Sequence, residues 1–302
     1  MDEKDYELLL ELYETKNITK TAQKLFITQP ALSKRIQRME EELQCQLFLH
    51  SKKGVVFTPA GESVLPYART ILANSRLLKD SAAAARGEIC GTISLGASLN
   101  FAQYRLPAIL KDYTSRYPKV DVHITTGQSR NLFQLLKEDR ISIAVMRGQY
   151  AWEETALLIS SEPMCLICSR ENMERPLTDY PYIDRHTDAE LTGRIGQWLS
   201  SHGLSGLRSN IWIDDINACK AMARHGLGWC ILPHICLEDF DGYIEEMVME
   251  DGSPFLRNTY VLCRQTYASL PQVRLFLDAL TKNTHEKALD LERTPDDMLF
   301  ID

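Results

Sequence analysis

The feature that most constrains the fold is a pair of helical patterns within residues 20–43, separated by only three residues. The first pattern ends at Leu25. The second starts near Gln29-Pro30, where a proline in the first turn costs no hydrogen bond. At about 100° per residue, the second pattern places four apolar side chains on one face. They are Leu32, Ile36, Met39 and Leu43.

The outward set on the opposite side of this second helix contains two cations, an amide and a hydroxyl but no acid. It consists of Pro30, Lys34, Gln37 and Arg38, with Ser33 at its border. Two short helices joined by so tight a turn predict a helix-turn-helix whose second helix presents this face outward. An ordinary amphipathic helix with a basic outer side would show the same pattern, so the segment alone leaves both interpretations open.

A hairpin with a basic tip is predicted directly after the helix pair. Two β-prone runs flank a polar turn that contains Lys52 and Lys53 and ends in a glycine. A hairpin in this position is a wing whose lysines can contact phosphate. The two runs are Gln46–His50 and Val55–Phe57.

The basic charge is concentrated in the same part of the chain. The net charge is −7, yet residues 15–58 hold eight basic residues and three acids, whereas residues 89–302 hold 21 and 29. A basic patch on an otherwise acidic chain indicates a small nucleic-acid-binding module joined to a second module.

No apolar run approaches the ~18 residues of a membrane span, so no membrane association is expected. The amino terminus is acidic and leads into a helical pattern, so no signal peptide is expected either. The sequence therefore predicts a cytoplasmic protein.

The first 65 residues or so resemble the LysR-type transcriptional regulators. The motifs occur in the order and at the spacing of that family: Ala22-x-x-Leu25, Thr28-Gln29-Pro30-Ala31-Leu32-Ser33, Ile36, Glu42-Leu43, Leu47-Phe48 and Thr58-Pro59-Ala60-Gly61-Glu62. The resemblance implies a DNA-facing set on the second helix and the wing, with double-stranded promoter DNA as partner. With the other polar residues of the same face, this set is Gln29, Pro30, Ser33, Lys34, Gln37, Arg38, Lys52 and Lys53.

A long helix, capped by Thr58 and begun by Pro59, is predicted to run to about Arg86. Apolar or small residues recur along it at alternating spacings of four and three, which is the heptad pattern of paired helices. Because the resemblance also implies dimerisation here, we expect a homodimer or homotetramer through this helix; the alternative is a helix packed on its own domain. The heptad positions are Val64, Ala68, Ile71, Ser75, Leu78, Ala82 and Ala85.

From Cys90 onward the chain alternates strands and helices as βαβαβ, which predicts a parallel sheet covered by helices. A similar unit recurs in residues 210–233, and the two halves resemble the periplasmic-binding-protein-like effector domain of the same regulators. The predicted fold class is α/β: an N-terminal winged helix-turn-helix, a long linker helix, and a two-subdomain effector domain. The predicted domains are 1–58, 59–88 and 89–302, the last divided into subdomain I (about 89–161 and 267–302) and subdomain II (about 162–266).

Ligands of open α/β sheets bind beyond the carboxyl ends of the strands. Here those ends supply hydroxyl and amide groups and Arg147, which can hold a carboxylate in bidentate fashion. This inventory predicts a small anionic effector, although Arg147 pairing with a surface acid is an equally open interpretation. The predicted effector-binding residues are Ser98, Asn100, Gln128, Ser129 and Arg147.

Motifs for catalysis or cofactor binding are absent from the sequence. It has no H-E-x-x-H, G-x-x-x-x-G-K or G-x-S-x-G pattern, so we expect neither an enzyme nor a cofactor. Cys165 and Cys168 lie three apart in a β-like run and would point to opposite faces, so no zinc site is expected. Two alternatives remain: an enzyme using Arg147 with Ser98 or an aspartate, and a redox-sensing regulator. The redox alternative would use Cys219, Cys230 or Cys236.

Overall fold

The computed structural model describes residues 1–51, 54–207, 209 and 211–291. Along these residues the chain forms a helical unit with a hairpin, then one long helix, then an α/β module. This order confirms the predicted fold class.

Three short helices form the amino-terminal unit, and each begins at a side-chain cap. Asp2 caps the first helix, Asn17 the second and Thr28 the third, each accepting a hydrogen bond from a backbone N–H of the first turn. The predicted proline lies in the first turn of the third helix. The helices are α1 (Glu3–Thr15), α2 (Ile18–Lys24) and α3 (Gln29–Leu43).

The inner face of α3 packs against α1 in one apolar core. Leu32, Ile36 and Met39 are buried as predicted, but Leu43 is 39% exposed. The helix ends there because Gln44 takes a left-handed conformation (φ 51°), so Leu43 lies at the frayed edge of the core. The prediction of a fourth inward position was therefore wrong.

The wing is an antiparallel pair of short strands, β1 (Phe48–Ser51) and β2 (Gly54–Phe57). Phe48 lies opposite Phe57, and their rings meet edge to face at 4.6 Å. The ring of Phe57 also meets that of Tyr13 of α1 edge to face at 5.1 Å, which fixes the hairpin on the helical core. Lys52 and Lys53, predicted at the tip, lie outside the described residues.

The long helix α4 (Pro59–Ala85) begins at the Thr58 cap, as predicted. Asp80 anchors its last turns to the α/β module, since its carboxylate accepts a hydrogen bond from Nε2 of Gln272 at 3.0 Å. Gly91 provides the space for this contact: a Cβ on that residue would lie 2.5 Å from the Asp80 carboxylate, and its φ is +109°.

The α/β module is built on one seven-stranded sheet and one two-stranded sheet. Its strands are β3 (Gly91–Ser98), β4 (Val120–Gly127), β5 (Ile143–Arg147), β6 (Thr155–Cys168), β7 (Ile183–Arg185), β8 (Ile211–Ile213), β9 (Cys230–Pro233), β10 (Tyr243–Glu246) and β11 (Leu256–Cys263). Its helices are α5 (Leu99–Tyr104), α6 (Leu106–Arg116), α7 (Ser129–Lys137), α8 (Ala189–Ser201), α9 (Ile216–Arg224), α10 (Gln265–Ala268) and α11 (Pro271–Leu291).

Two long antiparallel strands, β6 and β11, connect two lobes of this module. In the first lobe β3 pairs in parallel with both β4 and β5, which is the predicted βαβαβ unit. In the second lobe β7 pairs in parallel with β8, while β9 and β10 flank the far end of β6. The carboxyl ends of β3, β4 and β5 therefore face the junction between the lobes. The subdomain boundaries themselves remain a prediction.

Candidate functional site

The outer face of α3 brings six of the predicted DNA-facing residues together. All six are exposed: Gln29, Pro30, Ser33, Lys34, Gln37 and Arg38. The side chain of Gln29 is oriented by α2, because its Oε1 accepts a hydrogen bond from the hydroxyl of Thr19 at 3.3 Å. Lys34 forms no ion pair within the described part of the chain, so its charge is available to an external anion. That these residues contact DNA stays a prediction.

The two arginines of α3 are held by a buried carboxylate. Asp5 accepts from Nε of Arg35 at 2.9 Å and from Arg38 at 2.7 Å, and its side chain is fully buried. Burial alone would raise the pKa of Asp5, but hydrogen bonds from Asp2 and Arg38 and the charges of both arginines hold it below its ordinary value. Arg38 remains exposed, yet a DNA contact would have to be shared with this ion pair.

Sequence reasoning missed an unusual residue in the turn between α2 and α3. Phe26 has a φ of +53° and is 95% exposed. The turn needs this left-handed conformation because the next N–H, of Ile27, bonds back to the carbonyl of Ala22 at 3.0 Å. Glycine or asparagine normally signals such a position, and phenylalanine gave no signal.

Replacing Phe26 by glycine is expected to raise the free energy of unfolding by about 1 kcal/mol, because glycine takes a positive φ without the strain of a Cβ. Urea unfolding of the full chain, followed by circular dichroism, measures the change. A lower stability of the glycine variant would mean that the ring contributes packing that its exposure does not indicate.

In the α/β module the predicted effector residues gather at the carboxyl ends of the first-lobe strands. Ser98 ends β3 beside Gly127 of β4, and the backbone N–H of Arg147 donates to the hydroxyl of Ser129 at 3.0 Å. Asn100 lies in the first turn of α5, and Gln128 is the exposed cap residue of α7. The five residues therefore share one edge of the sheet, though their contact with an effector stays a prediction.

Arg147 is not a free cation. Its guanidinium forms a buried ion pair with Glu162 of β6, whose other oxygen accepts the backbone N–H of Ile235 at 2.7 Å. Burial lowers the pKa of Arg147 to about 9, so the guanidinium is charged at neutral pH. The carboxylate of Glu162, its ion-pair partner, compensates that charge. Of the two interpretations left open by the sequence, the structure shows pairing with an acid, and that acid is buried rather than on the surface.

Four charged residues from the second lobe and the crossing strand complete the cleft wall. Arg257 of β11 is buried and paired with Asp188, the cap residue of α8, and lies 3.9 Å from Glu190. Arg185 ends β7, and its Nε is buried with no hydrogen-bond partner among the described residues. Ser98 is 5% exposed, and its Oγ also has no hydrogen-bond partner in the described part of the chain.

No sequence pattern indicated this wall of the cleft, because its residues come from distant segments that only the tertiary fold brings together. Glu162 and Arg185 were not among the predicted site residues.

The thiols of the redox alternative are poorly suited to oxidation, because the thiolate is the reactive form. Burial raises the pKa of Cys236 to about 11 and that of Cys219 to about 12, and it raises the pKa of Cys230 well above its ordinary value. For the enzyme alternative, the Ser98 hydroxyl has no hydrogen-bonded base among the described residues, and a serine without such a base is not an activated nucleophile.

Within the described residues, no helix is long and apolar enough to cross a membrane, and no cluster of three potential ligands could hold a metal ion.

Comparisons with known proteins bear on both modules. Residues 4–62 match the family model "Bacterial regulatory helix-turn-helix protein, lysR family", and residues 86–284 match "LysR substrate binding domain". The chain is 34% identical over 281 residues to the HTH-type transcriptional regulator YraN of Bacillus subtilis, covering 93% of this chain and 97% of that protein.

Solved structures show the same fold along nearly the whole chain. A full-length OxyR variant from Pseudomonas aeruginosa is 17% identical with a TM-score of 0.67, covering 94% of this chain and 95% of that one. Full-length CbnR in complex with its target DNA is 18% identical with a TM-score of 0.64, covering 94% of this chain and all of that one.

Proposed function

We propose how this chain works on the premise that it belongs to the LysR family of transcriptional regulators. It is a DNA-binding transcriptional regulator with an effector-binding domain. In our proposal α3 enters the major groove of promoter DNA, with Gln29, Pro30 and Ser33 near base edges. Lys34 and the wing lysines Lys52 and Lys53 bind phosphates.

The observation that carries this proposal is the outer face of α3. Its six predicted DNA-facing residues are all exposed and none of them is acidic, and Lys34 has no ion-pair partner in the described part of the chain. Most of the phosphate contribution to affinity is independent of base sequence, whereas contacts at base edges discriminate between sequences. Substitutions of phosphate-binding residues and of base-reading residues should therefore have different effects in binding measurements.

Lys53→Ala is expected to weaken binding to the upstream DNA of its own gene and to random DNA alike. It should also reduce the slope of log affinity against log salt by about one unit for the lost phosphate contact. Gel-shift titration at several salt concentrations measures both. Lys111→Ala, on the exposed side of α6, is the matched control and should change neither. A weaker complex with an unchanged slope would remove the wing from the phosphate contacts.

Ser33→Ala is expected to behave differently, since it alters a base-edge contact. It should reduce the ratio of the affinities for specific and random DNA. It should leave the slope of log affinity against log salt unchanged. Equal losses on both DNAs would place Ser33 at the backbone instead.

The remaining parts of the proposal concern the effector and the assembly. A small anionic metabolite binds in the cleft between the lobes and changes the balance between two arrangements of the protein, which requires that it bind one of them better. The chain assembles as a homodimer or homotetramer through α4 and acts on DNA in the cytoplasm. It performs no catalysis, which a panel of metabolites incubated with the protein would test by absence of turnover.

The exposed side of α4 supports its role in assembly. Tyr67, Ile71 and Leu78 are exposed although apolar, and they lie at heptad spacing on one side of the helix. Two of the predicted heptad positions serve the chain itself: Ala68 is buried in the amino-terminal core, and Ser75 donates a hydrogen bond to Glu3. The stripe left for a partner helix is therefore rotated relative to the predicted one.

A further inference from the structure

A buried carboxylate joins the amino end of α1 to the outer face of α3. The side chain of Asp5 is fully buried and accepts three hydrogen bonds there. The donors are Nε of Arg35 at 2.9 Å, Nη2 of Arg38 at 2.7 Å and the backbone N–H of Asp2 at 2.8 Å. Burial acts to raise the pKa of Asp5, yet these partners hold it below its ordinary value, so the carboxylate is charged at neutral pH. One fixed anion therefore holds both guanidiniums.

The two arginines differ in how much of each guanidinium the protein itself uses. Arg35 also donates to both carboxylate oxygens of Asp2, at 2.8 Å each, and its side chain is 24% exposed. Arg38 binds Asp5 through Nη2, and its side chain is 54% exposed. A guanidinium has five N–H donors, so Arg38 retains donors for an external acceptor while Asp5 fixes its position.

Whether an arginine is fixed or mobile decides what it can recognise on DNA. A guanidinium in a set position can present two parallel donors to the edge of one base, which discriminates against the other bases. A mobile cation binds any phosphate within reach and adds affinity without sequence preference. Ordering the side chain before binding also lowers the entropy lost in the complex.

We propose that Asp5 is a positioning residue for DNA recognition: it holds Arg38 so that the remaining donors of the guanidinium meet base edges and not the nearest phosphate. This inference rests on the proposed function and adds to it a determinant of specificity. Asp5 has no exposed side-chain surface, so it acts through Arg38 and makes no contact with DNA itself.

Asp5→Asn in the full chain removes the charge and keeps an acceptor oxygen. The ratio of the affinities for the upstream DNA of its own gene and for random DNA is expected to fall about ten-fold, because a released Arg38 loses its base contact. For random DNA the slope of log affinity against log salt should steepen by about one unit, because the released arginine binds a phosphate. Gel-shift titration at several salt concentrations measures both quantities.

These two readouts distinguish positioning from a merely structural role. A destabilised protein would contain a smaller fraction of molecules that bind DNA, and titration at stoichiometric concentrations measures that fraction. It would not change the affinity ratio or the salt slope of the molecules that remain folded.

Asp2→Asn is the matched control. It removes the same charge from the same junction and takes a partner from Arg35, but in the described residues Asp2 binds Arg35 and not Arg38. Asparagine caps a helix as well as aspartate does, so α1 keeps its first turn. This variant should keep the affinity ratio and the salt slope of the wild type.

Substitutions of Arg38 test whether Asp5 acts through this residue. In an Arg38→Gln background, Asp5→Asn should lower the ratio no further, because the two changes remove the same contact. Arg38→Lys keeps the charge and loses the planar fork of donors, so it should lower the ratio by itself. Since Arg38 is half-exposed, this variant tests the inference even where Asp5→Asn fails to fold.

Three results would overturn the inference. They are an Asp5→Asn protein with the affinity ratio of the wild type, an Asp5→Asn change that lowers the ratio as far in the Arg38→Gln background as without it, and an Arg38→Lys protein with the ratio of the wild type. A wild-type protein that binds both DNAs equally at every salt concentration would refute the proposed base recognition by α3, and the inference with it. A wild type that discriminates, together with any of the three results, refutes the inference alone.

Discussion

Arg147→Met is expected to lower the free energy of unfolding of the α/β module by about 3–5 kcal/mol. The reason is that it leaves the carboxylate of Glu162 buried without its counterion, and an uncompensated buried charge is far more costly than the pair itself is stabilising. Both side chains are about nine-tenths buried, and the ion pair connects β5 with β6 across the base of the cleft. The loss should therefore appear as a stability defect before it appears as an effector defect.

Urea unfolding of the full chain measures this, with tryptophan fluorescence as the signal. All four tryptophans lie in the α/β module, at Trp152, Trp198, Trp212 and Trp229, so the signal follows that module and not the amino-terminal unit.

A second substitution provides the matched control. Adding Glu162→Gln to Arg147→Met removes the unpaired charge and keeps an acceptor for the N–H of Ile235. The double variant should therefore be more stable than Arg147→Met alone, since neutral replacement of both partners is often nearly without cost. Equal stability of the wild type and Arg147→Met would show that Glu162 does not hold the arginine, and would return Arg147 to the set of candidate ligand contacts.

The local features of the fold could be predicted because short-range chemistry determines them. The cap at Thr58 was predicted from the sequence, and the structure shows Asn17 and Thr28 capping α2 and α3 in the same way, through bonds to the first turn of their own helices. Leu43 shows the limit of this reasoning. The apolar periodicity includes this residue, but the helix ends there and leaves it at the edge of the core.

The cleft could be predicted only in part. The ends of β3, β4 and β5 follow from strand alternation, and they supplied Ser98, Gln128 and Arg147. The charged residues that face them from other segments could not be predicted from strand alternation. Glu162 belongs to a crossing strand whose register against β11 shifts, and Arg185 ends a three-residue strand in the other lobe. Pairings over such separations depend on the packing of both lobes, which no local pattern encodes.

The apolar stripe of α4 leads to the second large expected effect. Packing within the chain uses one side of this helix, where Leu65, Ala68 and Leu72 are buried. The other side leaves Leu78 70% exposed and Tyr67 71% exposed, one turn before Ile71. An apolar stripe at heptad spacing on a long helix is stable in water when a second helix covers it.

Leu78→Asp is expected to dissociate the oligomer and to reduce operator affinity by about 100-fold or more. In a symmetric helix pair the change introduces two carboxylates into one apolar interface, at a cost of several kcal/mol. Each DNA-binding unit would then bind a half-site alone and lose the gain from being tethered to a second unit. Because Leu78 is 70% exposed in its own chain, the α/β module should keep its fluorescence-detected stability. Leu227→Asp makes the same change at another exposed leucine and should preserve both the mass and the affinity. Light scattering measures the molar mass of the variant in solution. A Leu78→Asp protein with the mass of the wild type would mean that α4 is not the interface. The apolar side of α4 would then be covered by something other than a second copy of this helix.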